Sequence, residues 1–179
     1  MKILTLALCI TASLSSAAFA QSCKKSQITP THPEGQYLDN GDGTITDVVN
    51  ALMWSKCSLG QANSGESCSG TPTHYITWSD ALTAANGNQS FAGHNDWRLP
   101  NIKELGDLVE RSCFSPAIDL TTFPSTPDAA YWSNTMDSNN INPNVGFEGM
   151  LIDFTDGAEF LPDVNSHRMI RMVRTLDTN

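Results

Sequence analysis

Apolar residues change their spacing as the chain proceeds, and the changes divide it into three stretches. Tyr37-Leu38-Asp39 and Thr44-Ile45-Thr46-Asp47 are short extended runs on either side of Asn40-Gly41-Asp42-Gly43. That is the pattern of a β-hairpin with a glycine-rich turn. Leu52-Met53-Trp54 adds a buried strand or turn, and residues 58–73 form a loop of low hydrophobicity. The spacing then becomes helical. Thr77-Trp78-Ser79-Asp80 is a capping signal, and Ala81, Leu82 and Ala85 follow Trp78 at i+3/i+4 spacing, which predicts a short helix ending near Asn86-Gly87. From Tyr131 onward the pattern is β-like, with strands predicted at Tyr131-Trp132-Ser133, 150–154 and 169–174. Thr155-Asp156-Gly157 reads as a turn that sends 158–161 back as a hairpin.

Between these stretches lies a dense local signal, Gly93 to Leu105. Gly93 and Asn95-Asp96 suit a tight turn. Pro100 disfavours the α region at Leu99, so Trp97-Arg98-Leu99 is expected to be extended. Asn101 and Glu104 make a capping-box pair for a second helix, and Leu105, Leu108 and Val109 give it a buried face to about Arg111. Arg98 and Glu104 are placed to form a structural ion pair beside Trp97. Helices and strands are segregated along the chain, so the class is α+β.

Composition adds a compartment. Lys2, an apolar run from Ile3 to Ile10, and Ala18-Phe19-Ala20 have the form of a secretory signal peptide over residues 1–20, too short in its apolar part to span a bilayer. Residues 21–35 read as a polar arm held only by Cys23, with a domain from 36 to 176. Lys2 is the one charged residue of the first twenty, so the mature chain carries nine basic against 19 acidic side chains, a net charge of −10. That surface disfavours nucleic acid and polyanions. Four cysteines follow the leader, an even count that in an exported chain reads as two disulfides with three possible connectivities. Cys57 and Cys68 bracket a Gly/Ser/Asn-rich loop and are the first choice for a local bridge, leaving Cys23 for Cys113. A zinc site is the rival, but the spacings contain no close ligand pair.

Several blocks together resemble the Lcl C-terminal domain family. They are Asp39 to Asp47, Leu52-Met53-Trp54, Trp78 to Leu82, Asp96 to Leu105, Tyr131-Trp132-Ser133 and Val173-Arg174. The resemblance covers about residues 36–176 and implies an exported bacterial module related to the glycan-binding end of a collagen-like adhesin. A remoter similarity to C-type-lectin-like and sulfatase-modifying domains implies a C-type-lectin-like fold: an N-terminal β-hairpin, two short helices and C-terminal antiparallel strands. Two departures stand out. Positions where many members carry cysteine correspond to Ala85 and Met172, which fits one bridge replaced by apolar contact. The acidic charge also makes the sulfated-glycan binding of the adhesin unsafe to carry over.

Two regions are candidate sites. Asp39, Asp42 and Asp47, with Asn40, offer oxygens of the kind calcium takes, although turn chemistry explains the same residues. The stretch Asn134–Asn144, read as a loop, holds Asn134, Asp137, Asn139, Asn142 and Asn144 beside Trp132, with Asp153 as a further ligand, a set suited to a neutral sugar or a calcium-dependent sugar site. Its other reading is a solvated loop. The four tryptophans are expected as core anchors. His167-Arg168, Arg171 and Arg174 form the one basic cluster, and the four histidines have no local partner. No nucleophile elbow, zinc-binding helix or phosphate loop is present. The expected function is therefore recognition of a carbohydrate or protein at the cell surface or outside the cell. A secreted hydrolase or modifying enzyme, and a structural or assembly component, are the alternatives.

Overall fold

The computed structural model describes residues 20–142, 146–160 and 168–176, and within these the side chains of 138–142, 146, 147 and 160 are left aside. The proposed leader therefore lies outside the described residues but for Ala20. The first sheet is all antiparallel. Its strands β2 (Tyr37–Asp39), β3 (Thr44–Asp47), β4 (Leu52–Ser55) and β12 (Val173–Thr175) lie in the order β12-β4-β3-β2. The second contains β8 (Ala130–Asn142), β9 (Gly146–Asp153), β10 (Ala158–Phe160) and β11 (Arg168–Met169) in the order β10-β9-β8-β11, with β11 parallel to β8. Two small ribbons complete the strands: β1 (Ser22–Cys23) with β7 (Cys113–Phe114), and β5 (Ala62–Asn63) with β6 (Cys68–Ser69). Both expected disulfides are formed, Cys23–Cys113 and Cys57–Cys68.

The first helix, α1 (Trp78–Gly87), starts where its cap demands: the Thr77 side chain accepts from the Asp80 N–H. Ala81 and Ala85 are its buried residues, and the Trp78 indole donates to Ser133 O at 2.8 Å. Trp78 is only partly buried, unlike Trp54, Trp97 and Trp132, which are the core anchors expected of them. It lies so close over Gly149 that a Cβ there would sit 2.3 Å from the ring, which keeps that strand position side-chain free.

The second helix is shorter than its apolar spacing predicts. α2 covers Ile102–Gly106, with the full capping box between Asn101 and Glu104. Leu108 and Val109 still bury, but through i→i+3 turns, and Val109 then bridges Ile118. Gly106 weakens helix propagation, and the backbone N–H of Glu110 pairs with Ala117 O rather than with a helical carbonyl. The face was legible; its backbone form was set by these tertiary bonds.

The C-terminal strands also differ from expectation. The predicted single strand 169–174 is two, because the chain leaves the second sheet after Met169 and joins the first at Val173. Crossing between sheets buries Arg168, Arg171 and Arg174, and Arg174 Nε donates to Asp96 Oδ1 at 2.7 Å, so the arginines of the basic cluster are interior. Arg98 exchanges backbone hydrogen bonds with Val173 at 2.9 Å each way, so the extended Trp97–Leu99 segment covers the β12 edge. The arm is held by more than Cys23. Gln21 donates to Pro116 O and Ile118 O, and Thr31 N and Lys24 N bond to the Glu110 carboxylate and Ser112 O.

Candidate ligand cleft

The 57–68 loop, the turn between β2 and β3, and the segment after α1 enclose a cleft of about 170 Å³. Its walls carry no charged side chain. Ser58, Gln61, Asn63 and Ser90 are among its polar residues and Leu59, Phe91, Trp97 and Met172 are its large apolar ones; Ser58 is buried, and the Gln61 amide accepts from Ser58 N and donates to Ser125 O. Amides and hydroxyls around an aromatic ring are a lining for an uncharged ligand with both polar and apolar edges.

Local sequence explains how each wall is held. Phe91 and His94 pair backbone to backbone around Ala92 (φ +49°) and Gly93 (φ +77°). Two successive positive φ values define a tight hairpin turn, and Ala92 adopts one without the freedom of glycine. Phe91 is 37 % exposed, packs at 5.5 Å against the buried Trp97 ring, and accepts from the Trp97 indole N–H through its carbonyl at 2.9 Å. Opposite, Gly43 has φ +91°, and a Cβ there would come within 3.2 Å of both Asn63 and the Phe91 ring. The glycine-rich turn is thus one wall of the cleft. The Cys57–Cys68 bridge closes the loop that carries Ser58, Gln61 and Asn63.

Behind the wall lies a buried cation. Arg171, 0 % exposed, donates to Ser55 O at 2.9 Å, to Lys56 O and to Thr126 Oγ1 at 2.7 Å, and stacks over Phe123 at 4.9 Å. Burial pushes its pKa down, against the pull of Tyr131. Burial also pushes the Tyr131 phenol up, against the nearby guanidinium and its bond to Ser58 Oγ at 2.6 Å. Ser55 and Ser58 both line the cleft, so the guanidinium sits directly beneath its lining residues.

The model of the Lcl C-terminal domain matches residues 43–174. The chain belongs to the Lcl C-terminal domain family. No curated protein and no solved structure matches it. The family match spans β3 to β11, both helices and all but the last residue of β12, and hence the whole cleft; the arm and β2 precede it. Ala85 and Met172, at the positions read as lost cysteines, lie in the same buried apolar cluster.

The sequence-derived site residues fall elsewhere. Asp39 accepts from Gly41 N and Lys56 Nζ, Asp42 from both the N–H and hydroxyl of Thr44, and the buried Asp47 from Gln36, Val49 and Asn50. Among the described residues no group of three His, Cys, Asp or Glu converges as a metal site would. The segment read as an asparagine-rich loop continues as strand through Asn142, paired to β9 with two register shifts, because hairpin pairing outweighs the poor strand propensity of asparagine. Asn139 and Asn142 lie on that strand, and Asn144 is outside the described residues. Trp132 is buried, with its indole donating to Tyr75 O and Arg168 stacked on its ring, so it presents no face to solvent. Asn134 is exposed and donates to Leu99 O, while Asp137 is buried. Asp153 accepts from Thr155 N and sits opposite Ala130 at the foot of the hairpin, whereas Asp137 faces Glu148 further along, so the two do not converge.

Two histidines have partners distant in sequence: His74 Nδ1 accepts from Arg168 N at 2.8 Å, and His32 packs on Tyr37 near Glu110. His167 is outside the described residues. Phe91, Asn63, Gln61 and Ser90 were not singled out from sequence. An isolated phenylalanine in the polar stretch Asn88-Gln89-Ser90 was the available signal.

Proposed function

We propose that this domain is an exported recognition module that binds carbohydrate through the cleft beside Phe91, in a C-type-lectin-like arrangement of its two helices and long β8–β9 hairpin. The observation that carries the reading is the uncharged lining of that cleft, hydroxyl and amide on one side and aromatic and aliphatic on the other. Sugars present that division themselves, with hydroxyls around a ring whose C–H faces pack on aromatic surface. Two disulfides, together with no helix long and apolar enough to cross a membrane among the described residues, are compatible with export. Binding is proposed to need no calcium, since Asp39, Asp42 and Asp47 all accept hydrogen bonds inside the hairpin.

A glycan array run with calcium and again with chelator tests the reading. Signals on uncharged glycans that survive chelation are expected. Signals lost on chelation would return the site to the aspartates or to the β8–β9 hairpin. A blank array in both conditions would overturn carbohydrate recognition and leave a protein ligand, for which the exposed Leu38, Val48 and Val49 beside the outer strand β2 are the first surface to probe.

A further inference from the structure

We infer that the cleft selects the acetamido group of an N-acetylated sugar. The inference rests on the carbohydrate reading above and narrows it. Three observations converge. First, at about 170 Å³ the cleft is smaller than the roughly 300–1,000 Å³ of pockets that enclose drug-sized ligands. It admits one substituent or ring edge, not an oligosaccharide. Second, the lining is split between hydrogen-bonding groups (Ser58, Gln61, Asn63) and apolar ones (Leu59, Phe91, Met172). The group that enters therefore needs a polar end and an apolar end within a few atoms.

Third, among the described residues the buried Arg171 guanidinium beneath Ser55 and Ser58 has no carboxylate partner, and its Nε has no hydrogen-bond partner. A cation in a low-dielectric interior biases nearby sites toward oxygens carrying negative partial charge. The Tyr131 hydroxyl and Arg171 Nη2 both lie at Ser58 Oγ, at 2.6 and 3.5 Å. A serine oxygen has two acceptor lone pairs and one proton. When both neighbours donate to it, the Ser58 proton is left to be given to another acceptor. A fully charged acceptor is a poor fit, because the chain as a whole carries a net charge of −9 that repels anions on approach.

An acetamido group meets all three conditions. Its carbonyl is a strong neutral acceptor for the Ser58 side of the cleft, its N–H can donate to a side-chain amide oxygen, and its methyl packs against Phe91, Leu59 or Met172. An ordinary ring hydroxyl supplies an acceptor but no methyl.

The test is titration of the intact, disulfide-bonded protein with N-acetylglucosamine, glucose and glucosamine, read by calorimetry and by amide chemical shifts. N-acetylglucosamine is expected to bind about tenfold more tightly than glucose, from one buried methyl and one added hydrogen bond. Shift changes should centre on residues 58–63 and 88–91. Phe91→Ala, at a side chain more than a third exposed, should remove the preference while leaving the far-UV spectrum unchanged. Asn63→Ala, also on an exposed residue, serves if the first variant does not fold. Equal affinity for glucose and N-acetylglucosamine would overturn the acetamido inference and leave the carbohydrate reading standing. Shift changes away from the cleft, or a preference that survives Phe91→Ala, would overturn the assignment to this cleft. No binding of any of the three sugars, together with a blank glycan array, would overturn both readings.

Discussion

The two disulfides close very different pieces of chain, and each holds a different part of the fold. Cys23–Cys113 spans 90 residues and ties the arm, which precedes the family match, to the ribbon that follows the second helix. Cys57–Cys68 spans 11 residues and closes one wall of the cleft. Loop-closure entropy makes the long bridge the larger contributor to stability, while position makes the short one the larger contributor to the shape of the cleft. On the proposed reading, stability and recognition rest on separate covalent links, and each link can be removed by itself.

The largest effect is expected from replacing both Cys23 and Cys113 by serine. Denaturant unfolding should show a loss of about 4.5 kcal/mol, with sugar binding unchanged at temperatures where the variant stays folded. The matching Cys57/Cys68 serine variant should lose less stability, about 3 kcal/mol, yet weaken binding substantially. If the two variants affect binding equally, the separation fails.

Glu104→Gln tests the frame without touching either bridge. Arg98 grips the Glu104 carboxylate with two 2.8 Å bonds, and Asn101 N donates to it at 2.7 Å. Burial pushes the Glu104 carboxyl up, but these bonds outweigh burial and hold it below the usual carboxylate range. A depressed folded pKa stabilises above the unfolded value, about 4.3, and that stability is lost as pH falls through the folded pKa. The variant should lose about 1 kcal/mol at neutral pH, allowing for screening at the partly exposed Arg98, and show a flatter acid limb in stability-versus-pH measurements. Binding at pH 7 should not change.

The smallest effect lies at the cleft rim. Ala92→Gly removes the cost of a positive φ at a residue with a Cβ but adds unfolded-state freedom, so a net gain of about 0.5 kcal/mol is expected in thermal unfolding. A loss of stability would mean that the Ala92 methyl packs in the turn.

Local signals were read correctly wherever the governing contacts are themselves local. Thr77 and Asn101 cap the helices they precede, Thr155–Gly157 turns as its residues suggest, and Asp39–Asp47 is a hairpin. The candidate site was far less legible. Asn63, Phe91 and Met172 are distant in sequence, and none carries a motif; only the packing of the 57–68 loop, the Ala92-Gly93 turn and the chain end puts them around one space. Asparagine density marks 134–144 as a loop, whereas hairpin pairing makes strand as far as Asn142.

By itself, then, the sequence determined the class, the caps, the turns and the family, and made the two bridges the first choice among three connectivities. Those depend on residues a few positions apart, on cysteine count and on motifs in fixed order. Tertiary structure decided the rest. It ended α2 at Gly106, divided the last strand between two sheets, and buried Arg171 with no carboxylate partner among the described residues. It also assembled the cleft beside Phe91 from segments that no local pattern marked. A buried guanidinium and a cleft both arise from contacts between segments far apart in the chain, which no local spacing records.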